Sequence, residues 1–177
     1  LDLHVPTILE QDRIPAAVIV AGSVEGVTYR RAFGTATLDT LFDLASCTKV
    51  VATTTAAMKL VEEGRLSLDD PVGKHLEAFR GRPITVRDLL RHCSGLPAYL
   101  TPKAQEPEAI LQEIAALKTK PGYQYSCLNM IALARVVERV SGMSLAEYAR
   151  RLIFEPLDMK DTTFAPASTW TCSRPES

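Results

Sequence analysis

A serine and a lysine three residues apart, Ser46 and Lys49, form the pair in this sequence with the clearest potential for chemistry. Residues at this spacing lie on one face of a helix. The apolar residues before Ser46 and the long run of alanine, threonine and valine after it predict that the serine stands at a helix start. A hydroxyl there lies beside unpaired backbone N–H groups and the positive end of the helix dipole. The pair therefore indicates nucleophilic attack on a carbonyl, with the amine managing the hydroxyl proton.

The Ser-x-x-Lys spacing alone is weak evidence, because it arises by chance about once in every two chains of this length. The simpler interpretation of the bare motif is a serine that caps a helix, followed by a surface lysine one turn later. The elements that would have to position the pair decide between the two interpretations.

The composition is that of an ordinary globular protein, with 177 residues, 46% hydrophobic, 23% charged and a formal net charge of -1. No basic run supports binding to nucleic acid or to an anionic membrane surface. No apolar stretch approaches the roughly 20 residues that span a bilayer. The chain begins at Leu1 rather than Met, and a periplasmic, secreted or cytoplasmic location remains open.

Four cysteines are spread along the chain, at Cys47, Cys93, Cys127 and Cys172. None forms a Cys-x-x-Cys pair, and none has a histidine at zinc-ligand spacing, so the sequence predicts no metal site and no cofactor. Most of them are expected to act as small buried hydrophobic residues. The sequence does not decide whether any of them form disulfides, although a chain of this size does not need them.

Two short runs rich in β-branched residues, 14–21 and 27–33, flank a glycine-containing turn and predict a β-hairpin. Helical patterns follow, and they predict one long helix over 46–63 and shorter ones at 85–90, 107–117, 128–140 and 144–155. Thr85 with Asp88, and Ser144 with Glu147, stand at capping-box spacing. A two-stranded hairpin is marginal by itself, so we expect the rest of its sheet to lie outside this chain.

Four stretches of sequence follow one another along the chain in a defined order. The first is FDLAS at 42–46, followed by the long helix and by EEGRLSLDDPV at 62–72. The second is ITVRDLLRHCSGLP at 84–97. The third is the PGxxYS pattern at 121–126, and the fourth is IFEPLxMxxT at 153–162. With their order and spacing, these stretches resemble the serine β-lactamase and penicillin-binding-protein superfamily, especially its class C-like and esterase branches.

The resemblance implies an α+β fold of the β-lactamase/transpeptidase-like type, in which a mixed antiparallel sheet accompanies a helical domain. Residues 1–43 would supply an N-terminal helix and the first two strands of the α/β domain. Residues 44–177 would form the helical domain that carries the nucleophile. The C-terminal strands of the α/β domain are expected to be missing from this chain, either because it is a piece of a longer protein or because residues are omitted.

The same resemblance implies roles for three residues. Ser46 would be the acylated nucleophile, and Lys49 would lie buried one turn later, where burial and the helix dipole would lower its pKa. Tyr125 would occupy the position of the family tyrosine, and its phenol can serve as a base only if a nearby cation stabilises the phenolate. A catalytic His92 is the weaker alternative, and a structural histidine before the turn at Ser94 is favoured.

The chain departs from the family pattern in two ways. The family motif is usually Tyr-x-Asn, whereas its third position here is Cys127, whose thiol is a weak donor and a weak acceptor. Asn129 is not expected to replace that amide, because its direction on a helix differs by about 200°. The Lys-Thr-Gly or His-x-Gly motif of a later strand, which lines the pocket and supplies a second oxyanion donor in full-length members, is not present in the chain.

Two functions remain open at this stage. The first is a serine hydrolase that works through an acyl-enzyme on small-molecule esters, β-lactams or D-Ala-type peptides. The second is a penicillin-recognising binding module, a D-Ala peptidase-like protein or an inactive fragment that is acylated without turnover. No nucleic-acid partner and no membrane span is predicted, and the sequence does not indicate the oligomeric state.

Overall fold

The structure, a computed structural model, describes residues 2–165. The described chain divides into two compact units, residues 2–43 and Leu44–Ala165. The assignment of residues 1–43 to an α/β domain and of 44–177 to a helical domain stays a prediction. Residues 166–177 of that assignment lie outside the described residues.

The first unit contains a helix, α1 (Val5–Gln11), and a hairpin of strands β1 (Ala16–Ser23) and β2 (Gly26–Gly34). The strands are antiparallel and pair from Ala16 with Gly34 to Ser23 with Gly26, so the predicted hairpin is confirmed. Gly26 has a φ of 132°, a conformation that residues with a Cβ rarely adopt, and this closes the tight connection between the strands.

The second unit is helical. A 3-10 turn (Ala45–Cys47) and a π-helix (Lys49–Thr54) lead into α2 (Thr55–Glu62). After two further 3-10 turns (Val72–Lys74 and Glu77–Phe79) the remaining helices are α3 (Val86–Leu90), α4 (Pro107–Ala116), α5 (Cys127–Ser141) and α6 (Leu145–Ala149), the last continued by a π-helix (Arg150–Phe154). Among residues 2–165, no helix has the length and apolar character needed to cross a bilayer.

The helices begin and end where the sequence supplies capping residues. The Thr85 hydroxyl accepts from the Asp88 N–H at 3.2 Å while the Asp88 carboxylate accepts from the Thr85 N–H at 2.9 Å, which is the predicted capping box of α3. The Ser126 hydroxyl accepts from the Leu128 N–H at 3.2 Å and caps α5. Gly142, with a φ of 77°, ends α5 in the left-handed conformation.

Helix α5 is the central element of the second unit and packs against α2, α3 and α6. Each of these helices turns its apolar residues toward α5, and full burial of one large aliphatic side chain contributes about 1.5–3 kcal/mol. The fully buried large side chains other than that of Asn129 are those of Leu60, Val72, Phe79, Val86, Leu89, Leu96, Ile114, Leu133, Val136, Val137 and Tyr148. This core fixes the start of α5 relative to α2 and α3, and the candidate site lies at that end.

Candidate active site

The nucleophile segment, defined as Ala45–Thr54, does not have the regular α-helical start that the sequence predicts. Ser46 lies in the 3-10 turn, and the six residues Lys49–Thr54 form a π-helix. The Thr55 hydroxyl donates to the Val50 carbonyl at 2.9 Å, a side-chain bond that satisfies a carbonyl within the wider turn. The prediction of one α-helix over 46–63 is therefore wrong in its first two turns.

Backbone geometry at Ala45 brings Ser46 to the surface. Ala45 has a φ of 43°, in the left-handed region where a Cβ is disfavoured by about 1–2 kcal/mol. The Cys47 N–H then donates to the Leu44 carbonyl at 2.8 Å and closes the turn. Behind the turn, Ala52 and Thr53 are buried and anchor the segment in the core. Ser46 is thus exposed on a segment whose opposite side is buried in the core.

Ser46 and Lys49 are brought into direct contact. The Lys49 ammonium donates to Ser46 Oγ at 2.9 Å, as the shared face predicts. Lys49 is half-buried and Ser46 is exposed, so the pair can be reached from solvent while its lysine is partly shielded.

Tyr125 completes the contact from the loop that precedes α5. Its hydroxyl oxygen accepts hydrogen bonds from the Ser46 hydroxyl and from the Lys49 ammonium. These two bonds lower the pKa of Tyr125. The Lys49 Nζ also lies 5.3 Å from the centre of the Tyr125 ring. The three side chains that the resemblance implied thus form one hydrogen-bonded cluster.

The pKa of Lys49 moves in the direction opposite to the prediction. The hydrogen bond to Tyr125 raises the pKa of Lys49, and this outweighs the lowering that burial produces. The predicted lowering is wrong because it considered burial and the helix dipole but not the phenol that accepts from the ammonium. Lys49 therefore stays a cation, and it is the pKa of Tyr125 that is shifted toward neutral pH.

Cys127 lies in the same cluster, at the first position of α5. Its N–H donates to the Ala98 carbonyl at 2.8 Å, and its side chain is exposed. The thiol is close enough to Lys49 to contribute a hydrogen bond that raises the pKa of the ammonium. The structure therefore places a thiol, instead of the amide of the family pattern, next to the lysine.

His92 stands behind Tyr125 rather than beside Ser46 in the hydrogen-bond network. Its ring centre is 4.8 Å from that of Tyr125, at an interplanar angle of 41°. Its Nδ1 lies 3.2 Å from the Ser126 backbone nitrogen and 3.2 Å from Asn129 Nδ2. These contacts agree with the structural histidine that the sequence favours.

Two residues that sequence reasoning did not assign to the site, Ser94 and Asn129, support this arrangement. Asn129 is fully buried, and its Oδ1 accepts from the Ser94 hydroxyl at 2.5 Å. Asn129 therefore points into the interior and does not replace the amide lost at Cys127, as expected. An asparagine among the apolar residues of a strong helix was the signal available, because a buried amide needs partners.

Within residues 2–165, no group of three histidine, cysteine or acidic side chains is placed to hold a metal ion. Cys47, Cys93 and Cys127 are unpaired thiols; Cys47 and Cys127 are exposed, and Cys93 is partly shielded from solvent. The expectation of buried cysteines is wrong for these three, because Cys47 lies in the exposed turn of Ser46 and Cys127 at the exposed first position of α5. Cys172 lies outside the described residues.

The chain is similar in sequence and in fold to several known proteins. The chain is 32% identical, over 79% of its length, to the Escherichia coli K12 protein named "Putative D-alanyl-D-alanine carboxypeptidase", and it spans 41% of that protein. A D-stereospecific amidohydrolase from Streptomyces superposes with a TM-score of 0.80 at 26% identity, covering 95% of this chain and 58% of the other. A class C beta-lactamase from Rhodobacter sphaeroides superposes with a TM-score of 0.76 at 25% identity, covering 97% of this chain and 56% of the other.

The chain thus spans less than half the length of the curated relative and little more than half of the two solved structures. Its described part has the β-lactamase/transpeptidase-like fold, with helices and a small antiparallel sheet. The sequence profile of the beta-lactamase family matches residues 1–171. Because that match extends over nearly the whole sequence, the chain belongs to the beta-lactamase family.

Proposed function

We propose that the protein is a serine hydrolase that forms an acyl-enzyme on Ser46. The observation that carries the proposal is the hydrogen-bonded cluster in which Lys49 Nζ donates to Ser46 Oγ at 2.9 Å and the Ser46 hydroxyl donates to Tyr125. In such a cluster the nucleophile, its base and a cation that stabilises the base are already in contact.

In the proposed acylation, Tyr125 acts as phenolate and accepts the Ser46 proton while Oγ attacks the substrate carbonyl carbon. Lys49 remains an ammonium and stabilises the phenolate by its hydrogen bond and charge. The tetrahedral intermediate then collapses, the leaving group takes the proton from the Tyr125 phenol, and the acyl group stays on Ser46. In deacylation, a water molecule attacks the acyl carbon while the phenolate takes its proton. The second tetrahedral intermediate then collapses, and the Tyr125 phenol returns that proton to Ser46 Oγ as the acid leaves.

An oxyanion must be stabilised during both steps. The Ser46 backbone N–H, within the 3-10 turn, is the donor that this segment would offer. A single missing oxyanion donor costs about 10²–10³ in rate, so the complete pocket needs a second one. The relatives are longer than this chain, and the activity of the whole protein is accordingly part of the proposal.

For the substrate class, we propose that simple esters are turned over better than β-lactams or D-Ala-type peptides. Cys127 supports this preference, because its thiol offers an amide substrate weaker hydrogen bonds than an asparagine would. Cys127→Asn should raise the ratio of β-lactam to ester acylation roughly tenfold, which is the contribution of about one hydrogen bond. Cys127→Ala, whose side chain offers no hydrogen bond, is the matched control and should not raise that ratio. An unchanged ratio in Cys127→Asn would remove Cys127 as the cause.

The first experiment is steady-state hydrolysis of p-nitrophenyl esters by the protein expressed from its complete reading frame. Ser46→Ala should reduce turnover by about 10³-fold or more. Ser23→Ala, which truncates an exposed serine of the hairpin, should be as active as wild type. Equal turnover by Ser46→Ala and wild type would contradict the proposal.

The second candidate function is a penicillin-recognising module that is acylated without turnover. The replacement of the family asparagine by Cys127 favours it. A persistent mass adduct on Ser46 with no release of acid would support this candidate, whereas multiple turnovers per protein molecule would eliminate it.

A further inference from the structure

His92 accepts two hydrogen bonds at one ring nitrogen. The Ser126 backbone N–H and the Asn129 Nδ2 both lie 3.2 Å from its Nδ1. The two donors come from the cap and the first turn of α5, so a single nitrogen atom joins the start of this helix to the turn after α3.

The orientation of the Asn129 amide fixes the proton of the imidazole. Asn129 Oδ1 already accepts from the Ser94 hydroxyl at 2.5 Å, and the Ser94 oxygen accepts in turn from the Leu96 N–H at 3.1 Å. The amide therefore presents its NH₂ group to His92. Because Nδ1 faces two donors, it carries the lone pair, and the proton of the neutral ring is on Nε2.

The same ring supports the tyrosine. Tyr125 precedes Ser126 in the chain, and its ring lies 4.8 Å from that of His92. The Gln124 N–H also donates to the His92 carbonyl at 2.9 Å, so both the backbone and the side chain of His92 hold residues 124–126. The loop that carries the phenol is thus bonded to His92 on either side of Tyr125.

Protonation of His92 would oppose this arrangement. An Nδ1–H would point at two N–H donors, which would lose their acceptor. The groups that face the ring are Lys49, from the nucleophile segment, and Tyr123 and Tyr125, from the loop before α5. Burial and the Lys49 charge lower the pKa of His92, and within residues 2–165 no carboxylate acts to raise it.

We propose that His92 is a positioning residue whose neutral Nδ1 holds the loop of Tyr125 against Ser46 and Lys49, and that protonation of His92 releases this loop and switches the hydrolase off. The inference rests on the proposed function only for its effect on rate. The hydrogen bonds, and their loss on protonation, stand independently of any activity.

The kinetic test compares three forms of the protein over the acidic pH range. If Tyr125 is the base, the wild-type acylation rate falls about tenfold for each unit by which the pH is lowered. Below the pH at which half of His92 is protonated, a second protonation also lowers the rate, so the fall becomes about a hundredfold per unit. His92→Asn keeps an acceptor near the Nδ1 position and tolerates the left-handed backbone at φ 55°. It should retain the wild-type rate near neutral pH and lose the steeper limb.

His92→Leu keeps bulk but removes the acceptor, and it should lower the acylation rate about 10²-fold through misplacement of Tyr125. A steeper limb that persists in His92→Asn, or a wild-type rate in His92→Leu, would overturn the proposal.

A second measurement does not need an active enzyme. Two-dimensional NMR of ¹⁵N-labelled Ser46→Ala protein should show the Nε2–H tautomer of His92 at neutral pH. The Ser126 amide proton should shift with the same midpoint as the His92 ring, and that midpoint should lie below the ordinary value of about 6.5. An Nδ1–H tautomer, or a Ser126 amide that ignores the titration, would refute the positioning role. Absent acylation with these NMR results intact would refute the proposed function alone.

Discussion

The two sides of the site are held in opposite ways. On the nucleophile side, Ser46 is exposed and Lys49 half-buried, on a segment of irregular helix. On the other side, Ser94, Ser126 and Asn129 are buried polar residues that are hydrogen-bonded to one another, to His92 or to backbone. The proposed chemistry therefore lies on the exposed side and the proposed positioning on the buried side. This difference predicts that activity and stability respond to different substitutions.

The largest effect is expected on the exposed side. Tyr125→Phe removes the hydroxyl and should lower the acylation rate about 10²–10⁴-fold. Because Tyr125 is exposed, its midpoint of denaturation should stay close to that of wild type. The check is the rate of ester acylation measured beside a urea denaturation curve. A large loss of stability with an unchanged rate would reverse the roles assigned to the two sides.

The variant Lys49→Met tests the proposed role of the exposed side through the pH dependence of the acylation rate. The Ser46 and Lys49 hydrogen bonds lower the pKa of Tyr125, so the phenolate of wild type persists to lower pH than an ordinary tyrosine phenolate would. The rate should rise with pH and level off below pH ~10. In Lys49→Met the hydrogen bond and the charge are gone, so the plateau should move to higher pH. A plateau at the same pH in both proteins would show that Lys49 does not stabilise the phenolate.

A smaller effect, on stability, is expected on the buried side. Asn129→Leu leaves the Ser94 hydroxyl and His92 without their amide partner, and it should lower the free energy of unfolding by about 1–3 kcal/mol. Arg139→Gln, on the exposed face of the same helix, loses a surface ion pair with Glu108 and should cost less than about 1 kcal/mol. Equal losses in the two variants would mean that the buried network does not stabilise the fold.

The sequence predicts the structure to a different extent on the exposed side and on the buried side of the site. The hairpin, the capping box at Thr85 and the ends of α5 follow from local patterns, and they are confirmed. The cluster of Ser46, Lys49 and Tyr125 followed from the resemblance. The 3-10 and π-helical geometry of the nucleophile segment could not be predicted from the sequence. It depends on how Ala52 and Thr53 pack and on where the Thr55 hydroxyl bonds.

The buried side was missed for a different reason. The bond from Ser94 to Asn129 joins residues 35 positions apart, and nothing in the local sequence of either one identifies its partner. The direction of the Lys49 pKa was wrong for the same reason, since the phenol that raises it lies on a distant loop. Local patterns give elements and caps, whereas electrostatics at the site depends on contacts between elements.

The smallest expected effect tests whether the capping of α3 belongs to the positioning side. Thr85→Ala removes the cap of the helix that precedes His92 and should cost about 1 kcal/mol of stability. Ser144→Ala, the cap of α6, is the matched control and should cost about as much. Neither should change the acylation rate. A slower rate in Thr85→Ala alone would add the cap of α3 to the elements that position Tyr125.

The central claim, that Ser46 is the acylated nucleophile of a pre-assembled cluster, is tested most directly by intact-protein and peptide mass spectrometry. Protein from the complete reading frame is quenched in acid within seconds of mixing with a p-nitrophenyl ester and, separately, with a β-lactam. We expect a single acyl group on the peptide that contains Ser46, with no adduct in Ser46→Ala and a much slower one in Tyr125→Phe. An acyl group on Cys127 or Cys47 instead, or equal labelling of wild type and Ser46→Ala, would contradict it.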